Sequence, residues 1–235
     1  RVLENPEHRE EVAEFWNIDP EFFPKKRGLY QTDIYPAIES GQIKGLWLIA
    51  TNPMSSLPNT ARVRKALESL EFCAVQDCYE DTESAQYAHV YLPAGTWAEK
   101  EGVMTNTERR INLVKPVVKP PGEAKPDLWI FNQVAKRFNE GDRVNFPEKS
   151  ADIFIEMAGI SKGRLADISG MSHDLIEKNR GIQWPYTDEQ LSNKETPPQG
   201  GKRLYTEAAT FRYEDGRAKL IPLPFIDNNE VPDEK

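Results

Sequence analysis

Polar side chains follow the predicted strands of this sequence at the positions where open parallel sheets bind their ligands. Asn52 and Asp77 come directly after short apolar runs, and Asp127 opens an amphipathic helix. A carboxylate at a strand end can accept hydrogen bonds from the vicinal hydroxyls of a ribose, or from the N–H edge of guanine. A purely structural interpretation stays open, because Asp and Asn also end strands as caps and turns.

Lys100 is a candidate for contacting an anionic ligand, and it lies between Glu99 and Glu101. An ammonium group can hold a pyrophosphate as a point charge. The alternative interpretation is a cluster of solvated charges. No strand is followed by a GxGxxG turn, and the sequence has no GxxxxGK[ST] loop, which argues against a hydride-transferring Rossmann site and against an NTPase phosphate loop.

A parallel sheet would bring these side chains together. Apolar runs at 46–50, 72–75 and 90–92 predict three strands, and the amphipathic segments between them predict helices. Crossovers of this length should be right-handed. We therefore expect the run ends at Ala50, Gln76 and Leu92 to lie side by side on one edge of the sheet. The nearly continuous apolar run at 46–50 is typical of a strand covered on both faces.

The predicted fold class is α/β, with an open, mainly parallel sheet flanked by helices and an irregular C-terminal extension. Residues 1–140 are expected to form the α/β domain. Within it, 101–125 is predicted to be a surface excursion, because it is polar and ends in a Pro-Pro-Gly sequence. Residues 141–235 are expected to form a helical and hairpin extension.

Three features define the predicted extension. Ser150 is expected to cap a helix, and the Pro- and Gly-rich segment 184–202 is expected to be a linker. Segments 202–206 and 210–222 resemble strands, with Asp215-Gly216 as a hairpin turn in the second of them.

Composition disfavours several functional classes. The chain has 30 basic and 38 acidic residues, a net charge of −8, which disfavours general nucleic-acid affinity. Cys73 and Cys78 lack CxxC spacing and are expected to be buried reduced thiols. The three histidines are far apart, so no metal site has support. No apolar run approaches the ~20 residues of a membrane span, and we expect a cytoplasmic location, with the periplasm as the alternative.

Several segments resemble molybdopterin oxidoreductases of the dimethyl sulfoxide reductase type. They are ATNP after the first strand, QD after the second, YLPAGTWAEKEGVMTNTERR and PPGEAKPDLW. Shorter supporting segments are SKGR, DISG and GIQWP. The resemblance covers residues 4–213 and is strongest to the catalytic subunits of nitrate reductases, with formate dehydrogenases next.

The resemblance implies a cofactor, namely molybdenum held by two molybdopterin guanine dinucleotides. By motif position, one dinucleotide is expected to contact Asn52, Gln76, Asp77, Lys100 and Asp127. Asp77 and Asp127 would bind ribose and guanine, in an order the motif leaves open, and Lys100 would meet a phosphate or the pterin. The implied reaction is the two-electron reduction of nitrate to nitrite by oxygen-atom transfer at molybdenum.

The resemblance also implies missing parts. In this family the cysteines of a 4Fe-4S cluster and the protein ligand of molybdenum precede the matching block, and the chain itself begins at Arg1 without an initiator Met. We therefore expect a fragment that is inactive alone. Its expected partners are the remaining domains of the same polypeptide and an electron-donor protein or subunit. The alternatives are a formate dehydrogenase-like fragment and a non-catalytic nucleotide-binding module.

Overall fold

The computed structural model describes residues 2–138, 146–201, 203–205, 211, 213 and 215–225. The chain divides near residue 200 into two compact units, Arg1–Gly200 and Gly201–Lys235. The helices found among the described residues are α1 (Pro6–Trp16), α2 (Gln31–Glu39), α3 (Pro53–Ser56), α4 (Thr60–Glu68), α5 (Asp127–Ala135), α6 (Ser150–Ser161), α7 (His173–Lys178) and α8 (Asp188–Ser192). Short 3-10 turns occur at Pro20–Phe22, Ala85–Tyr87 and Trp97–Glu99.

The first sheet is parallel, with its strands in the order β1 (Gly45–Ile49), β2 (Phe72–Asp77) and β3 (Val90–Pro93). Ile49 pairs with Gln76, and Gln76 pairs with Leu92. The predicted alignment of the strand ends is confirmed, as is the α/β class. The expectation that the first strand is covered on both faces holds instead for the central β2, since β1 lies at an edge and leaves Ile49 37% exposed.

Helices α2 and α4 pack beside this sheet and close its core. The Asn59 side chain caps α4 by accepting a hydrogen bond from the N–H of Arg62. The apolar face of α4 is spaced at helical period, so one side of the helix reaches the sheet. The buried members of this first core are Tyr35, Ile38, Leu48, Met54, Val63, Ala66, Leu67, Leu70, Cys73 and Val75.

The segment predicted to be a surface excursion supplies two strands of a second sheet. This antiparallel sheet has the order β4 (Gly102–Thr105), β5 (Arg110–Val114) and β6 (Ile182–Gln183). Ile111 is 5% exposed and pairs with Ile182, which is fully buried. The partner strand lies about seventy residues downstream, so the local sequence does not show which strand buries Ile111. The second core is completed by Phe154, Ala158, Ile168, Met171, Ile176 and Tyr186.

The C-terminal predictions need three corrections. Lys149, not Ser150, is the N-cap of α6, and the Ser150 hydroxyl donates instead to Glu101. The predicted linker contains α8, whose N-terminus has a capping box. In the second unit the N–H of Gly216 donates to the carbonyl of Tyr213, which forms a turn. The described residues of 201–225 contain no strand, and parts of both predicted strands lie outside the described residues. No helix in the described parts of the chain is both long and apolar enough to cross a bilayer.

The close approach of Gly170 to the backbone of Thr187 gives a test of the second core. A Cβ at residue 170 would lie 2.7 Å from the carbonyl carbon of Thr187, and backbone cannot move aside as a side chain can. We expect Gly170→Ala to lower the free energy of unfolding by about 1–3 kcal/mol in urea titrations. Gly28→Ala is the matched control, because a Cβ at Gly28 meets nothing within 4 Å. Equal midpoints for the two variants would contradict the packing described.

Candidate functional site

The carboxyl edge of the parallel sheet gathers the residues that follow its strands. Asn52 is the N-cap of α3, directly after β1, and Gln76 and Asp77 end β2. Ala50 turns the chain out of β1 with a positive φ of 50°, while its N–H still donates to the carbonyl of Gln76 at 2.9 Å. This register places Asn52 and Asp77 on the same edge.

The segment before α5 is held against the end of β3. The N–H of Gly95 donates to the carbonyl of Lys125 (2.9 Å), and the N–H of Lys125 donates to the carbonyl of Pro93 (3.1 Å). The Trp47 and Phe131 rings, whose centroids are 5.4 Å apart, pack α5 beside β1. These contacts fix the first turn of α5 beside the end of β2.

Gln76, Lys100 and Asp127 form one hydrogen-bonded cluster there. The Gln76 Nε2 donates to Asp127 Oδ1 at 2.7 Å, and Lys100 Nζ donates to Asp127 Oδ2. Lys100 follows a 3-10 turn whose capping box uses Thr96 and Glu99, so the Glu99 carboxylate orders the turn that delivers Lys100. Two residues predicted from motif position, Gln76 and Lys100, therefore both bond to a third, Asp127.

Electrostatics keep Asp127 ionised in this cluster. Burial by itself raises the pKa of Asp127, but the hydrogen bonds from Lys100 and Gln76 outweigh it, and the pKa falls below its usual value. The side chains of Lys100 and Asp127 are 32% and 28% exposed, so the pair faces solvent only in part. Gln76 is 1% exposed, and its Oε1 is buried without a hydrogen-bond partner among the described residues.

Asp77 lies beside this cluster with a different set of contacts. Its Oδ1 accepts the N–H of Tyr79 at 3.1 Å, and its backbone carbonyl accepts the hydroxyl of Tyr91 at 2.8 Å. The two contacts fix the turn after β2, and Oδ2 meets no donor from the described residues.

Cys78 is a residue of this edge that the sequence interpretation missed. Cys73 is fully buried as predicted, but Cys78 is exposed, so the expectation of two buried thiols is wrong for the second. Partial desolvation of its sulfur raises the pKa of the exposed Cys78, the charge of Lys100 lowers it, and the charges of Asp77 and Asp127 raise it further. The thiol of Cys78 is therefore close enough to Lys100, Asp77 and Asp127 for all three charges to act on it. The sequence does give one indication that Cys78 lies at this edge, which is its position directly after Asp77.

Asn52 lies on the same edge but bonds to other residues. Its Nδ2 donates to Glu83 Oε2 at 2.6 Å, and its Oδ1 accepts the hydroxyl of Ser84 at 2.6 Å. Asn52 therefore contacts the loop between β2 and β3 rather than the Gln76–Lys100–Asp127 cluster. No local pattern singled out Glu83 or Ser84.

Arg110, from the same sequence block as Lys100, has a structural role. Its guanidinium donates to the carbonyls of Arg180 (2.6 Å) and Gln199 (2.8 Å), which fastens β5 to the segments around β6. In the described parts of the chain, no cluster of three or more His, Cys, Asp or Glu residues could hold a metal ion.

The parallel sheet and the helices beside it define an α/β domain of the open-sheet class. Residues 13–137 match the family model for molybdopterin oxidoreductases, and the chain belongs to that family. It is 41% identical to a nitrate reductase of Synechocystis sp. over 94% of its length, and 37% identical to the assimilatory nitrate reductase catalytic subunit of Bacillus subtilis over 100%. It is also 39% identical, over 83% of its length, to the F420-dependent formate dehydrogenase subunit alpha of Methanocaldococcus jannaschii.

These relatives are much longer than this chain, which spans 27% to 31% of their length. Among solved structures, acetylene hydratase from Pelobacter acetylenicus superposes with a TM-score of 0.52 at 20% identity. The superposition covers 76% of this chain and 24% of that one. At this identity the likeness supports the fold alone.

The lowered pKa of Asp127 gives a prediction about stability and pH. Because the folded-state pKa lies below the unfolded value of about 3.9, ionised Asp127 stabilises the fold above that pH, and the contribution is lost as the pH falls through the folded pKa. Asp127→Asn should therefore lower the free energy of unfolding more at pH 7 than at pH 3, measured by urea titration.

Lys100→Met serves as the companion variant. With one donor to Asp127 removed, the pKa of Asp127 should rise, and the acid-side loss of stability should begin at a higher pH than in the parent chain. Parallel stability curves for the parent and Asp127→Asn from pH 7 to pH 3 would refute the coupling.

Proposed function

We propose that this chain supplies part of the cofactor site of a molybdenum-dependent nitrate reductase, with the rest of the site on the remaining domains of the same polypeptide. The observation that carries the proposal is the Gln76–Lys100–Asp127 cluster beside Asp77, on the sheet edge of a chain that belongs to the molybdopterin oxidoreductases. The similarity to nitrate reductases over 94% and 100% of the chain supports the choice of substrate.

The available groups fit a molybdopterin guanine dinucleotide. Such a group presents N–H donors on guanine, hydroxyl donors on ribose and acceptor oxygens on its phosphates. Asp77 Oδ2 and Gln76 Oε1, which has no hydrogen-bond partner in the described parts of the chain, are acceptors suited to these donors. Lys100 has N–H groups beyond the one that meets Asp127. When bound, the cofactor would supply oxygen-atom transfer at molybdenum, and the chain would position it.

The two acids receive different roles in this proposal. Both oxygens of Asp127 already accept hydrogen bonds, from Gln76 and from Lys100. Asp77 has one oxygen engaged by Tyr79. Asp77 is therefore the acid that accepts from ribose or guanine, and Asp127 holds the Gln76 amide and the Lys100 ammonium in position.

The wider assembly is part of the same proposal. Molybdenum would take its protein ligand, and electrons would arrive through a 4Fe-4S cluster, on domains outside this chain. An electron-donor protein or subunit would complete the path. The chain by itself would be inactive, because the groups described here bind and position the cofactor.

A formate dehydrogenase is the second candidate, favoured by the 39% identity to the formate dehydrogenase subunit over 83% of the chain. The two candidates are separated by assaying the full-length protein with nitrate and reduced viologen, and with formate and oxidised viologen. Nitrate reduction without formate oxidation supports the proposal, and the reverse result replaces nitrate with formate.

Asp77→Asn in the full-length protein tests the cofactor site itself. The variant exchanges an ionised acceptor for an amide, so it should weaken the affinity for the cofactor roughly ten- to a hundredfold. This factor corresponds to the free energy of a hydrogen bond to a charged group, about 1.5–3 kcal/mol. The measurement is molybdenum and acid-released guanine per polypeptide after gel filtration, together with the urea midpoint. Asp174→Asn is the control, because it removes the same charge from the exposed first turn of α7. It should change neither the molybdenum nor the guanine retained per polypeptide. Unchanged molybdenum in Asp77→Asn would count against the proposal.

A further inference from the structure

Ser84 is fully buried, and its hydrogen bonds join the turns after β1 and β2. Its Oγ accepts the backbone N–H of Met54 at 3.2 Å and lies 2.6 Å from Asn52 Oδ1. A backbone N–H can only donate, so the Ser84 oxygen must accept from Met54. The Ser84 proton is then free to be donated to Asn52.

The same logic fixes which way the Asn52 amide faces. The backbone N–H of Ser84 also points at Asn52 Oδ1, at 3.3 Å, and it too can only donate. On the other side the Glu83 carboxylate, which is acceptor-only when ionised, lies 2.6 Å from Asn52 Nδ2. The hydrogen bond from Asn52 lowers the pKa of Glu83, which keeps that carboxylate ionised. Two donors thus hold the amide oxygen, and one acceptor holds the amide nitrogen.

Asn52 can consequently offer a ligand only an N–H donor. Its oxygen already accepts two hydrogen bonds and is turned towards the buried Ser84. Its Nδ2 carries two hydrogens and uses one on Glu83. The half-buried Asn52 can therefore give one N–H to a ligand at the sheet edge.

We infer that Ser84 is a positioning residue which, with Glu83, makes Asn52 a hydrogen-bond donor towards an acceptor oxygen of the bound cofactor. This inference rests on the proposed function and deepens it. The acceptor is either a ring carbonyl or a phosphate oxygen. Because the Glu83 carboxylate lies beside the donating nitrogen and repels anions, the ring carbonyl is the better match.

The test uses the full-length protein and a double-mutant cycle. Asn52→Ala should reduce retained molybdenum and acid-released guanine, and Ser84→Ala should reduce both about fivefold, the effect of one hydrogen bond. In the Asn52→Ala background, Ser84→Ala should cause no further loss of cofactor, because its effect passes through Asn52. Ser84→Ala also removes the acceptor of the Met54 N–H, so it should lower the urea midpoint in both backgrounds.

Ser161→Ala is the matched structural control. The Ser161 hydroxyl likewise accepts a backbone N–H, from Ile168 at 2.9 Å, and donates to a neighbouring oxygen, the carbonyl of Ala158. It lies in α6 and belongs to the second core region. This variant should lower the urea midpoint and leave the cofactor content per folded protein unchanged.

Asn52→Asp tests the polarity, because it replaces the donor with an acceptor of the same shape. It should retain no more cofactor than Asn52→Ala, and retention at the parent level would overturn the inference. Glu83→Gln distinguishes the two kinds of acceptor: removing the charge should strengthen retention if the acceptor is a phosphate and leave it unchanged if the acceptor is a ring carbonyl.

The outcomes separate this inference from the function on which it rests. If Ser84→Ala lowers retention equally in both backgrounds while Asp77→Asn and Asn52→Ala also lower it, the positioning role is overturned and the cofactor site stands. If Asp77→Asn and Asn52→Ala both keep the parent's molybdenum and guanine, the proposed function falls and the inference falls with it.

Discussion

The hydrogen bond from the buried amide of Gln76 to the carboxylate of Asp127 is the interaction on which the arrangement of the sheet edge depends. A primary amide at the end of a central strand is costly to bury unless it has partners. Asp127 supplies one, but a carboxylate in the same half-buried place needs its own compensation, which Lys100 provides. Gln76 needs Asp127 as its partner, and Asp127 needs Lys100. The end of β2, the start of α5 and the 3-10 turn before Lys100 are therefore held together by these two hydrogen bonds.

The parallel sheet could be predicted from sequence because each of its signals is local. Apolar runs of three to five residues, separated by amphipathic segments, give strand positions and the shared edge without knowledge of distant residues. The second sheet could not be predicted in that way. Ile111, Leu113 and Val114 make only a short apolar run, and the pairing of Ile111 with Ile182 that buries it depends on tertiary structure.

The candidate site likewise combines residues that local sequence predicts with residues that only tertiary structure brings there. Asp77 and Asp127 stand at element boundaries, where a sequence pattern has a clear physical meaning. Ser84 sits in an ordinary polar loop, and its burial and its bonds to Asn52 and Met54 exist only because the loop after β2 folds back over the turn after β1. Arg110 shows the converse: it shares a distinctive block with Lys100, yet its guanidinium donates to backbone carbonyls of the second sheet region. Membership in a motif does not by itself distinguish groups that face a ligand from groups that hold the fold.

The charges of this edge constrain how an anionic cofactor could be held. Asp77, Glu83 and Asp127 contribute carboxylates, whereas Lys100 is the cation that contacts the cluster and is already paired with Asp127. The chain as a whole has a net charge of −8, so long-range attraction of phosphates is not available to compensate. Under the proposed function, affinity from this chain would then come mainly from directional hydrogen bonds to the ribose and the rings, with Lys100 as its contact to a phosphate. Under the proposed function, most of the neutralisation of the phosphates then falls to domains outside this chain, which gives a physical reason for a cofactor site divided over the whole polypeptide.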